Sequence, residues 1–387
     1  MCTPAADARV TRIVVDSTTP IAGQPYEQPT GRAFGELDPN DPHNAIITDI
    51  ALAPKNANGE VEYIASFRIR KPTNMSLASG VMWHDVPNRG GDVGFPTDSF
   101  VANDMQLLSG WQGDNAGATS VPAKVTCVPP YSGTCAAPAF PHHYVKTPVL
   151  SGVTGKILGR IVNRSGLAAA PLNVMGNPIP YFPVNPSDNS ADTLTIHAHE
   201  TLTGAVTEGG TVPNSDWKYC ASGGTFATPG TVTALPVNVC TKNGFDGTKL
   251  YQLVYTAKDP YVLLTGTAAF RDLQSFFRYS AADDFGTPNP VANNVKWAII
   301  RGSSQSGNFT RHLIFLGMNE DEAQRIANND PRPSLEERYS THDGYVATVK
   351  AQRTMPPAKV TCWQDRRRLE WARNARRRCR PARTMAG

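Results

Sequence analysis

The residues Gly302-Ser303-Ser304-Gln305-Ser306-Gly307 carry the most specific chemical pattern in the chain. A short apolar run, Val295–Ile300, precedes them, and Phe309, Leu313 and Leu316 follow at helical spacing. A strand that turns sharply through a serine into a helix presents that serine as a nucleophile, and its close neighbours must be small because the tight turn leaves no room for side chains. The helix N-terminus supplies backbone N–H groups and the positive dipole end to a developing oxyanion. In this register Ser304 is the nucleophile and the Gln305 N–H is one oxyanion donor. Ser306 stands where G-x-S-x-G has its second glycine. A second donor belongs on a loop after an earlier strand. The run Gly80–Asp85 is followed by Val86-Pro87-Asn88-Arg89-Gly90-Gly91, so Asn88, Arg89, Gly90 and Gly91 are the candidates. Trp111, ending a further run, is expected to face the pocket or the core. Together these residues would attack an acyl carbonyl through an acyl-enzyme. The alternative is a Ser/Gly-rich strand–helix loop with no catalysis.

The elements that would hold these groups are visible as hydrophobic periodicity. Short β-branched runs fill the first third: Arg12–Asp16, Ala45–Ala53, Val61–Ile69, Gly80–Asp85 and Met105–Trp111. Turn clusters such as Asp38-Pro39-Asn40-Asp41-Pro42 and Asn56-Ala57-Asn58-Gly59 separate them. Residues 9–114 form the first part of a core. Residues 115–249, rich in Gly, Pro, Thr, Asn and Ser, read as a β-rich insertion or cap with brief strands such as Leu194–His199. Residues 250–322 return to the core with the serine turn, and 323–387 read as a divergent, basic, poorly ordered tail. Leu250–Tyr255 is a strand or extended lead-in. Asp259-Pro260 predicts an N-cap and first turn for a helix reaching about Ser280, with Leu263, Phe270, Leu273 and Phe277 on one stripe. Gly317 predicts the C-terminal cap of the helix after the serine.

Several blocks add a resemblance. Pro87-Asn88-Arg89-Gly90, Ser109-Gly110-Trp111-Gln112-Gly113-Asp114 and Tyr255-Thr256-Ala257-Lys258-Asp259-Pro260 resemble, in order, those of a family of bacterial alpha/beta-hydrolase-domain proteins. So do Arg271-Asp272, Ser304-Gln305-Ser306-Gly307 and Gly317-Met318-Asn319-Glu320-Asp321-Glu322. The resemblance spans about residues 9–322. It implies an α/β fold with an alpha/beta-hydrolase-like, mostly parallel sheet and a large β-rich insertion before the nucleophile. It also implies a serine-hydrolase site at Ser304 and, often, export. It names no particular ester.

Past Glu322 the resemblance ends, and with it the strands that would carry the remaining catalytic groups. In that fold the order is Ser, acid, His, and the histidines after Ser304 are His312 and His342. His312 lies more than two helical turns on and points off the site. His342 is the remaining candidate base, although its neighbour Asp343 would face the opposite way in an extended segment. His84 or His142 would break the chain order. The competing expectation is therefore a non-catalytic or truncated hydrolase-like chain that lacks the acid and histidine, with the sheet's C-terminal strands missing.

Charge, cysteines and composition bound the rest. Residues 363–387 hold nine arginines against Asp365 and Glu370, so that segment carries +7 of a net +4 and the remainder sums to −3. Without a recognisable nucleic-acid-binding motif, a solvated end is the expectation and nucleic acid is not an expected partner. The expected partner is a small-molecule ester or acyl substrate; oligomeric state is not legible. No apolar run is long enough for a transmembrane helix. Cys127 with Cys135 and Cys220 with Cys240 bracket local loops and read as disulfides of an exported protein, buried thiols being the alternative. The Met1-Cys2-Thr3-Pro4 start shows no signal peptide. His197-Ala198-His199-Glu200 sets two imidazoles on one strand face without a third ligand, so neither a metal nor a cofactor is expected.

Overall fold

The computed structural model describes residues 9–115, 143–162, 165–174, 177–197, 209–233, 235–319, 335–339 and 344–349. Twelve-residue strands β1 (Arg9–Pro20), β2 (Tyr26–Leu37) and β3 (Val61–Pro72) form an antiparallel meander. The sheet continues through β4 (Val81–Asp85), β5 (Met105–Ser109), the short β6 (Val145–Lys146) and β17 (Trp297–Ser303), and ends on β18 (Leu335–Tyr339) and β19 (Gly344–Val349). Its order is β1-β2-β3-β5-β4-β17-β19-β18, with β6 also on β3. Only the central trio β5-β4-β17 is parallel. Period-two alternation turns Val61, Tyr63, Ala65, Phe67 and Ile69 of β3 to one face. There the helices α2 (Leu264–Tyr279) and α3 (Gln305–Phe315) cover the sheet. Phe270, Leu273 and Phe277 of α2 are fully buried in this core, and Phe277 meets Phe67 edge-on at 5.1 Å. Each such ring contributes roughly 2–3 kcal/mol over its exposed state. The short α1 (Thr97–Val101) joins β4 to β5.

A second layer has its own core. Strands β7 (Thr154–Ile161), β11 (Phe182–Pro183), β12 (Thr193–His197), β13 (Gly209–Val212) and β16 (Leu250–Lys258) form one antiparallel sheet. Strands β8 (Ala169–Pro171), β14 (Trp217–Cys220) and β15 (Asn238–Thr241) form another. A hairpin of β9 (Asn173–Val174) and β10 (Asn177–Pro178) accompanies them. Trp217, Tyr219, Leu253 and Tyr255 are buried between these sheets. A disulfide links Cys220 and Cys240, whose Cα atoms lie 6.0 Å apart across β14 and β15. Cys127 and Cys135 fall outside the described residues.

The expected fold class is corrected here. The chain is β-rich, 38% strand and 18% helix, with mixed and antiparallel sheets and three α-helices among the described residues; it is not a mostly parallel alpha/beta-hydrolase sheet. The cause lies in the connections. Parallel neighbours need long crossovers, normally helical, whereas β1–β2 and β18–β19 are joined by a few residues and β2–β3 by turns. The resemblance carried a local arrangement, true of three strands, over to the whole sheet.

Two smaller expectations also change. Ala45–Ala53 is not a strand: Asp41 caps a 3-10 turn through the His43 N–H, and Asp49 adopts a left-handed φ of 61° before a second such turn. The helix α2 begins at Leu264, not at Pro260. Asp259 takes φ 56° and its carboxylate accepts the Gly152 N–H at 2.8 Å, while Leu263 stays partly exposed. The Gly317 cap is a complete Schellman motif, with Met318 N–H on Leu313 O and Gly317 N–H on Ile314 O.

Candidate active site at the strand–helix turn

Ser304 sits between β17 and α3 with φ 56° and ψ −120°, a combination that an L-residue adopts only under constraint. Two features impose it. Gly302 lies so close to the first turn of α3 that an added Cβ would stand 2.2 Å from the Ser306 carbonyl oxygen. Thr310 then bonds that same carbonyl through its hydroxyl at 3.0 Å, fixing the turn from the helix side. Ser304 is exposed, and its hydroxyl has no hydrogen-bond partner among the described residues. The Gln305 N–H opens the helix beside it.

The loop after β4 arrives on the neighbouring parallel strand. The ladder Trp297↔Val81 through Arg301↔Asp85 sets β17 against β4, and the Val86 N–H continues it to Arg301 O at 2.9 Å. Arg301 grips the buried Asp85 with both carboxylate oxygens engaged, at 2.6 and 2.8 Å. Burial raises the Asp85 carboxyl above the usual carboxylate range, opposed by its bonds to Arg301 and Gln106. Beyond Pro87, Asn88–Gly90 make a 3-10 turn in which Arg89 is left-handed (φ 47°, ψ 39°) and Gly90 has φ 76°. Gly91 N–H closes it on Asn88 O at 2.7 Å. The Asn88 side chain crosses to α3, where its Oδ1 accepts Ser306 Oγ–H at 2.6 Å and Ser306 N–H at 3.0 Å. Trp111 Nε1–H reaches Pro87 O at 2.8 Å and its ring packs on Phe309 of α3 at 4.4 Å. Ser304, Gln305, the Asn88–Gly91 loop and Trp111 are thus brought together.

The imidazoles are distributed elsewhere. His84 is fully buried and stacked on Phe270 at 3.5 Å, with ring nitrogens on Ser109 Oγ and Gln274 Oε1. Burial pushes its pKa down to about 3, so it is a neutral core group. His312 is exposed near the far end of α3. His43 pairs with Asp41, and His197 with Thr195. His142, His199, Glu200 and His342 lie outside the described residues. Among the described residues no group of three His, Cys, Asp or Glu side chains could hold a metal. One neighbour escaped the sequence reading: the buried His143 donates its backbone N–H to Gly90 O at 2.9 Å, behind the Asn88–Gly91 loop. Its only signal was the paired His142-His143, which has no period or motif. Asp272, on α2, is buried against Arg271 Nε and Tyr63 Oη and serves the core.

No helix of the described residues is long and apolar enough to cross a membrane. Comparison of the chain with protein-family models, with curated proteins and with solved structures returns no match.

Proposed function

We propose that the chain is a serine hydrolase that cleaves a carboxylic ester or a similar acyl bond of a small molecule, with Ser304 as nucleophile. The backbone of Ser304 carries the reading: an exposed serine held at positive φ on a strand–helix turn, where strain is retained only if the surroundings enforce it. Ser304 Oγ adds to the carbonyl carbon as a base takes its proton. The tetrahedral oxyanion lies between the Gln305 N–H and the Arg89–Gly90 turn. The C–O bond to the leaving alkoxide breaks as that oxygen takes a proton, and water then releases the acid and restores Ser304. His342 is the base in this proposal. Gly344, two residues further along, pairs with Ser303 at the end of β17. The Cys220–Cys240 disulfide fits an oxidising compartment.

A fluorophosphonate probe tests this directly. Labelling of the folded protein that disappears in Ser304→Ala is the expected result, and His342→Gln should slow it by about 10²-fold or more. A non-catalytic protein is the second reading, favoured by the lack of a hydrogen bond from any described imidazole to Ser304. Folded wild-type protein that resists the probe would establish it. Labelling of His342→Gln at the wild-type rate would remove His342 as the base.

A further inference from the structure

We infer that Asn88 is a positioning residue, which docks the oxyanion loop onto the turn through Ser306 and touches no substrate itself. The inference rests on the reading of Ser304 as nucleophile. Ser306 is 1% exposed, and both of its donors, Oγ–H and N–H, converge on the single Asn88 Oδ1. A carboxamide oxygen has two lone pairs, so the acceptor is filled. Two consequences follow from that geometry. The second N–H of α3 is taken by the protein, which leaves the Gln305 N–H as the helix donor nearest Ser304. The 3-10 turn that begins at Asn88 is also held in place while Arg89 and Gly90 adopt left-handed φ. The N–H groups of Arg89 and Gly90 have no hydrogen-bond partner among the described residues, and successive N–H groups in such a turn form an anion-binding concavity.

The other restraints on the loop come from elsewhere: Trp111 on Pro87 O, His143 N–H on Gly90 O, and Val86 N–H on β17. Among the described residues, the hydrogen bonds from this loop to α3 are those of the Asn88 side chain, whereas Trp111 meets α3 by packing on Phe309. Ser306 in place of the second glycine is therefore a functional substitution, because glycine would offer the N–H without the hydroxyl. Restoring the glycine should weaken the site, contrary to what the motif alone suggests.

The test uses the full chain, a fluorophosphonate and p-nitrophenyl butyrate. Asn88→Ala should slow labelling and lower kcat by about 10²-fold, the scale of losing one oxyanion donor, with KM within about twofold. Ser306→Gly should lose about tenfold, since one of two bonds survives. The double variant should lose no more than Asn88→Ala alone, because both changes remove one interaction. A purely structural role would move the denaturation midpoint without this kcat-against-KM split. Wild-type protein labelled at Ser304 together with Asn88→Ala labelled at the same rate overturns the inference and leaves the nucleophile standing. Additive losses in the double variant overturn the route through Ser306. Absence of wild-type labelling overturns the nucleophile and the inference with it. If Asn88→Ala does not fold, Ser306→Gly decides alone: tenfold slowing supports docking and a wild-type rate refutes it.

Discussion

Replacing His84 should remove an acid sensitivity built into the main core. The imidazole lies between β4 and α2, stacked on Phe270, with Ser109 of β5 at 2.8 Å from Nε2 and Gln274 of α2 at 3.2 Å from Nδ1. A proton on Nδ1 satisfies both contacts, since Gln274 Oε1 then accepts and the Ser109 hydroxyl donates. A second proton would turn Nε2 into a donor and charge a group with no access to water. Burial accordingly holds the native pKa at about 3, against an ordinary value of 6.5. Because the folded pKa is the lower one, the unfolded chain takes the proton first. The stabilisation is complete above pH 6.5 and is lost as pH falls towards 3. The slope is ~1.4 kcal/mol per pH unit, so the loss is ~2 kcal/mol at pH 5. Urea unfolding at pH 7.5 and pH 5 measures it in wild type and in His84→Gln. Taking the difference between pH values within each protein cancels the packing cost of the substitution. Wild type should lose about 2 kcal/mol more than the variant over that interval. Equal losses would refute the assignment of a neutral, inaccessible imidazole.

Two further outcomes test the architecture. Gly302→Ala drives a Cβ to 2.2 Å from the Ser306 carbonyl and should cost about 1–3 kcal/mol in thermal or urea unfolding while abolishing probe labelling at Ser304; an unchanged melting temperature and labelling rate would contradict the close approach. Cys220→Ser with Cys240→Ser opens a loop of sequence separation 20 and should destabilise the second layer by about 3 kcal/mol, read as proteolytic nicking of that layer under conditions where wild type resists.

What was legible in the sequence was local. Val61–Ile69, Gly80–Asp85 and Met105–Trp111 each hold a strand, the last two over Val81–Asp85 and Met105–Ser109, because their alternation or apolar runs suit a sheet with one face under α2. The serine turn appears where Gly302 and the flanking periodicities placed it, and Gly317 caps α3 as its position required. Global arrangement was not legible, because strand direction depends on what connects the strands and no residue pattern records that. Ala45–Ala53 shows the local limit: Ile47 and Ile50 are buried as strand residues would be, yet Asp41 and Asp49 bend the backbone into turns. Asp259 shows another, its carboxylate drawn from the helix start to a loop over 100 residues away. At the site, Asn88 and Ser306 each stand in a recognisable local pattern, but their contact spans 218 positions and is visible only in three dimensions.

The register of β4 against β17, locked by Asp85 and Arg301, has a consequence for how the protein is made. The two strands are 216 positions apart at that ion pair, and the whole second layer lies in the intervening chain. Closing a loop of that length costs ~5 kcal/mol of chain entropy before any contact in the pair forms. Antiparallel β1, β2 and β3 can pair early, from short connections, and the second layer can fold around its own core. The serine turn and its loop cannot meet until residues beyond 301 have emerged from the ribosome. The proposed site is then assembled late in synthesis, when the last of the three parallel strands docks, and no N-terminal fragment ending before β17 can contain it.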